Sequence, residues 1–412
     1  MSGIISFIKR TKNRGLLNIL KIIDLKVIKK IDRLFVKTFS IFKTDEKCIV
    51  LESQGDYTDN IKVFYDYMVK NKLNDDYKLI WIVHNPKNYE PVSNVKFVSR
   101  FHYGIHVKLD YYIATAKFIV FSHPYWLTSW KDDQVVIHTT HSAFQLKGTD
   151  TRGKETMKIF DYVLCCSPYV RDIRMKNLSV KFEQMLVIGM PRIDLVFQHK
   201  NCLGTLIREY AEEKVILSME TYKQANSWND SGSVDCFALN VVHTIEELKL
   251  LDSYLGRKGC KLIVKIHHLQ NLSFLKMVEL SNIKYLTDYD LFKENILVNE
   301  LLENADILIT DYSSVFYEYL LLDRPIGFLI GDFEDYSRGF LMEDPLKEMP
   351  GEKIRTLDGL LSFIDNCLLG CDLYVEERTI IRNKVFKYQD NQNCERLFKW
   401  INNYSNEGKC KL

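Results

Sequence analysis

Short apolar runs alternate with stretches of helical period along most of this chain. Residues 48–52, 77–83, 95–98, 117–122, 134–139, 162–165 and 186–188 read as strands, each a brief β-branched or aromatic run bounded by polar residues. Residues 60–70, 103–116 and 169–177 lie between them and read as helices. After a polar break near 199–204 the alternation resumes, with strands at 215–219, 262–266, 284–286, 306–310 and 326–330. Helices are expected near 234–255, 299–303, 314–322 and 357–367, and closing helices at 379–385 and 395–404. Alternation of this kind predicts parallel, doubly wound sheets with both faces covered. The expected fold class is α/β, with two Rossmann-like domains facing a cleft. The expected division is an arm at 1–46, domains at 47–200 and 201–390, and a closing helix at 391–412.

Composition fits two globular domains: 412 residues, 46% hydrophobic and 27% charged. The net charge of +2 hides an asymmetry, because residues 1–43 hold 11 lysines and arginines against two acids, while the other 369 residues hold 45 against 52. Apolar residues recur at helical spacing among those basic ones. A basic amphipathic helix of this type lies in the headgroup plane of an anionic membrane, or packs on protein with its charged face solvated. Ten cysteines without a C-x-x-C pattern suggest a reducing compartment, and Cys165-Cys166 read as two small core residues. No run of 18 apolar residues occurs, so neither a spanning helix nor a secretory signal is expected. Neither G-x-G-x-x-G after a first strand nor G-x-x-x-x-G-K-[ST] is present, which argues against nicotinamide dinucleotides and P-loop ATP hydrolysis. No cofactor, no bound catalytic metal and no nucleic-acid partner are expected.

Polar clusters follow the strand ends, where an open α/β sheet meets its ligands. Strand 306–310 ends in Thr310, and Asp311-Tyr312-Ser313-Ser314 supplies turn and N-cap residues for the helix after it. Hydroxyls and free N–H groups there either cap the helix or hold a phosphate. Farther on, Arg338 could reach a phosphate while Gly339 lets the backbone approach, or Asp335 could pair with the arginine. His141 and Lys147 follow strand 134–139, histidine being suited to take a hydroxyl proton near neutral pH. Lys265 and His267 alternate onto one side of a strand end and are donors suited to a pyrophosphate oxygen. Arg192 lies in a tight turn, Gly189 to Asp194, that leads into a helix near the interdomain hinge.

Taken in order, these clusters resemble the CDP-glycerol glycerophosphotransferase family, cytoplasmic enzymes that build teichoic acids and related polyol-phosphate capsule polymers. The resemblance covers residues 48–402 and is most specific at 305–314, at Leu322-Asp323-Arg324-Pro325 and at Tyr336-Ser337-Arg338-Gly339-Phe340. Gly189 to Asp194, Tyr388-Gln389-Asp390 and Glu395-Arg396 are further landmarks. The resemblance implies a glycosyltransferase type B architecture, peripheral on the cytoplasmic face of the membrane. It implies a CDP-glycerol or related CDP-polyol donor on the C-terminal half and a lipid-linked or polymeric acceptor. Thr310, Ser313, Ser314 and Arg338 would surround the donor phosphates, His267 would stabilise the leaving side, and His141 would be the base. The chain departs from the family pattern at His141-Ser142-Ala143, at the lone Lys147, at Glu220-Thr221-Tyr222-Lys223 and at His267-His268. Those changes touch the acceptor and the transferred group, so a CDP-ribitol or nucleotide-sugar transferase and an inactive membrane scaffold are the alternative readings.

Overall fold

The structure, a computed structural model, describes residues 28, 30–53, 55–99, 106–122, 131–148, 160–178, 180–206, 213–221, 237–266, 278–336 and 339–407. These fall into two compact units. The first comprises the described residues within Met1–Thr140, Ile159–Val163 and Ile401–Leu412, the second those within His141–Lys158 and Leu164–Trp400.

The first unit is built on parallel strands β1 (Asp45–Glu52), β2 (Lys78–Val83), β3 (Val95–Ser99), β4 (Ala116–Phe121), β5 (Val135–His138) and β6 (Tyr162–Cys165), in spatial order β3-β2-β1-β4-β5-β6. β6 begins in this unit and ends in the other, where β7 (Met185–Val187) continues the order. Ile49, Val50 and Leu51 in β1 and Phe118 to Phe121 in β4 are wholly buried, as a central parallel strand covered on both faces requires. Each such side chain contributes roughly 1.5–3 kcal/mol by leaving water. The edge strand β3 is partly exposed instead. Of the predicted arm, residues 1–27 and 29 lie outside the described residues. Residues 30–39 are helical, and Phe39 at the end of that helix and Phe42 beyond it meet the Tyr111 ring at 5.7 and 6.0 Å.

The second unit holds β8 (Lys214–Met219), β9 (Cys260–Lys265), β10 (Ile283–Leu286), β11 (Ile307–Thr310), β12 (Ile326–Leu329) and β13 (Glu352–Ile354), all parallel, in the order β10-β9-β8-β11-β12-β13. The strand order reverses between β8 and β11, which makes that pair the switch point of the sheet. Three local features differ from the sequence reading. The helix expected over 234–255 begins at Ile245: the 237–242 stretch is a buried turn, and Thr244 caps the helix, accepting the Glu247 N–H at 3.1 Å. A short helix, Asp288–Lys293, starts from a second capping box at Thr287 and Asp290. β13 is an extra edge strand.

The C-terminal helix Asn393–Glu407 has its first residues fixed inside the second unit. Asp194 accepts the backbone N–H groups of Asn393 and Cys394, each at 2.9 Å, and the Asn393 side-chain amide at 2.7 Å. Gly189 has φ +84°, and a Cβ there would lie 1.7 Å from the Asn393 Oδ1. The turn from Gly189 to Asp194 is therefore a socket for the start of the last helix.

Candidate functional site

The polar strand ends of the second unit meet at the β8/β11 switch point. Ile309 pairs with Ser218 and Thr310 with Met219, so the two strands end level. The Thr310 hydroxyl donates to the Met219 carbonyl at 2.6 Å. Asp311, fully buried, accepts the Thr221 N–H at 2.9 Å, the Ser313 N–H at 2.9 Å and the Thr221 hydroxyl. One carboxylate thus shapes both strand ends, using hydrogen bonds to charge that are worth more than neutral ones. Ser314 sits at the N-cap of the helix Val315–Tyr319 without a side-chain cap bond, and both serines are half-buried.

The segment that carries His141 belongs to this same unit. Lys147 donates to the Thr221 hydroxyl at 3.5 Å. Lys147 also forms an antiparallel bridge with Phe340, flanked by Gly148 N–H to the Gly339 carbonyl at 2.9 Å and Leu341 N–H to the Leu146 carbonyl at 2.8 Å. Gly339 has φ +71°, a conformation glycine adopts without strain. The Tyr312 ring, next to Asp311, lies tilted against Tyr336 at 4.5 Å and edge-on to Phe340 at 5.3 Å, and its hydroxyl donates to Asp332 at 3.0 Å. Residues 333–336 and 339–341 are in this way pinned to the strand end they follow.

Phe144 is buried against the Tyr317 ring at 5.0 Å, Ser142 and Ala143 are buried, and His141 is exposed. Arg174 donates to the Ser142 carbonyl at 3.1 Å and to the Leu164 carbonyl at 2.8 Å. Glu318, 1% exposed, accepts from Arg192 Nε at 3.0 Å and from the Ala143 N–H at 3.3 Å, and it also bonds the Asn299 amide.

Of the residues singled out in the sequence, Lys147, Asp311, Ser313, Ser314 and Gly339 come together here, with Thr310 beneath them. Arg192 joins through Glu318. Lys265 lies at the end of β9 and gives its ammonium to Asp288 at 2.6 Å and to the Ile266 carbonyl at 2.8 Å. His267 and Arg338 lie outside the described residues. Glu318 and Arg174 are residues of the candidate site that sequence reasoning missed, and Thr221 is marked there only as part of a departure from the family pattern; for Glu318 the one signal is an acid inside an otherwise apolar helix. Among the described residues no group of three or more His, Cys, Asp or Glu side chains is placed to hold a metal ion.

Two doubly wound parallel sheets, the second with its polar residues gathered at its switch point, define an α/β protein of Rossmann type. The chain belongs to the CDP-Glycerol:Poly(glycerophosphate) glycerophosphotransferase family, whose pattern matches residues 34–403, and it is an enzyme of that family. It is 28% identical over 382 residues to a teichoic acid poly(glycerol phosphate) polymerase of Bacillus spizizenii, covering 82% of this chain and 90% of the relative. A teichoic acid glycerol-phosphate transferase of Staphylococcus aureus is 26% identical, covering 84% of this chain and 90% of the relative. The Staphylococcus aureus ribitol-phosphate polymerase TarK is 25% identical, covering 84% of this chain and 66% of the relative. The solved wall teichoic acid polymerase TagF shares the fold, with a TM-score of 0.72 and 23% identity over 97% of this chain and 98% of that one.

Proposed function

We propose that this enzyme transfers glycerol phosphate from CDP-glycerol to a hydroxyl of a lipid-linked or polymeric acceptor and releases CMP, within a glycosyltransferase type B architecture. The observation that carries the reading is the bridge between the His141 segment and the Gly339 segment, beside the Asp311–Ser313 turn at the switch point. Family membership, the glycerol-phosphate relatives and a TagF variant solved after a CDPG soak support the donor.

On this reading the diphosphate lies against Ser313, Ser314, Lys147 and the Gly339 backbone, with Arg338 and His267 as further donors. His141 removes the acceptor hydroxyl proton, and the oxygen attacks the β-phosphorus. The bond from that phosphorus to the bridging oxygen breaks, and CMP leaves with the electron pair. Fixed donors around the diphosphate stabilise charge as it builds on the leaving phosphate. Thr310 and Asp311 serve by shaping the strand ends, since their polar atoms already bond to protein. Lys265 acts in the same manner through Asp288. The enzyme works as a peripheral protein on the cytoplasmic face of the membrane; no helix among the described residues is long and apolar enough to cross one.

His141→Ala tests the assignment. CDP-glycerol should bind within about threefold of the wild type, measured by calorimetry, while CMP release falls by about a hundredfold or more, the scale of a lost general base. Retained turnover would overturn it. TarK and the other ribitol-phosphate polymerases among the relatives support CDP-ribitol as the second reading. Parallel CMP-release assays with the two donors separate these readings.

A further inference from the structure

A buried carboxylate is costly unless several donors meet it, and Glu318 meets donors from three separate elements. One oxygen receives Arg192, from the turn after β7, and the Ala143 N–H, from the His141 segment. The other receives Asn299, from the helix Val298–Glu303. Glu318 itself lies in the helix that starts after Ser314, so it ties the half-buried serines to the backbone two residues beyond His141. On the opposite polarity, buried Arg174 takes the Ser142 and Ala143 carbonyls, at 3.1 and 3.5 Å. Residues 142–143 are thus held by charged side chains through the Ala143 N–H and both carbonyl groups.

We infer that Glu318 is a positioning residue for the reaction, fixing the segment that carries His141 against the helix that begins at Ser314. The inference rests on His141 being the base. Its effect is on geometry: a displacement of about 1 Å at a reacting group costs on the order of a hundredfold in rate.

The test uses the full chain, CDP-glycerol and a CMP-release assay. Glu318→Gln should lower kcat by about 10- to 100-fold with the KM for CDP-glycerol within about twofold, and Glu318→Asp should recover part of the loss. In the wild type, the Ala143 amide should exchange with solvent as slowly as the amides of β11. An unchanged kcat in Glu318→Gln, a loss confined to KM, or fast exchange at Ala143 would each overturn the inference. The exchange measurement decides the matter if neither variant folds. His141→Ala is run alongside. Turnover by that variant overturns the base assignment itself, whereas an inert His141→Ala beside a fully active Glu318→Gln overturns the positioning role alone.

Discussion

At the scale of single residues, the sharpest constraint is steric. Gly189 adopts φ +84° with the Asn393 side-chain oxygen 1.7 Å from where a Cβ would stand. An alanine there pays the left-handed penalty of roughly 1–2 kcal/mol and displaces the amide that Asp194 holds. Gly189→Ala should therefore destabilise the enzyme by about 2 kcal/mol or more, read as a lower urea midpoint. A midpoint within error of wild type would show that Asn393 moves aside freely. The same residues show what a linear reading can and cannot see. Asp311 and Ser313 stand out because they follow an apolar run with turn chemistry, and Gly339 because it lies beside an arginine. Thr221, Arg174 and Glu318 gain their contacts from partners far along the chain, which local patterns hint at only through an acid in an apolar helix at Glu318 and the family-pattern position at Thr221. Lys265 is the converse, a cation at a strand end that local reasoning assigns to a phosphate and that Asp288 takes up.

At the scale of elements, the buried strands are legible because parallel strands covered on both faces must be continuous apolar runs. β13 escapes, since an edge strand reading Glu352-Lys353-Ile354 needs only one buried residue. The helix over residues 30–39 meets the helix Val107–Thr115 through a polar contact: His106 Nδ1 lies 3.1 Å from Asp32, with Asp110 buried beside them. Burial first, and the nearby Asp32 carboxylate second, push the Asp110 carboxyl up to about 7. The folded state then keeps a proton that the unfolded chain releases above about pH 4. Stability contributed at this group accordingly falls as pH rises from about 4 to about 7 and is level above that. Asp110→Asn should raise Tm at pH 8 and leave it nearly unchanged at pH 4. An equal shift at both values would mean that the carboxyl does not titrate in this range.

At the scale of the whole molecule, the repeated strand–helix alternation makes the two sheets visible in the sequence, and the charge asymmetry marks the N-terminal segment as a different kind of element. Residues 1–27 contain six lysines and arginines. Each contributes about 1 kcal/mol near an anionic surface at moderate salt. A chain lacking these residues should lose about tenfold or more in co-sedimentation with vesicles containing anionic lipid, and the wild-type binding should weaken as salt is raised. Undiminished binding would place the attachment elsewhere on the protein.

The last helix has a consequence for how the chain is made. The first unit contains residues 401–407: Tyr77 donates to Asn402 at 3.0 Å, and the Tyr404 ring meets Phe118 edge-on at 6.0 Å. A ribosome delivers the sheet of that unit well before these partners. The nascent N-terminal unit must therefore wait, with the surface around Tyr77 and Phe118 uncovered, until residues 401–407 have emerged. A chain cut before residue 401 should leave that surface uncovered, a demand on folding set by where one helix places its last turns.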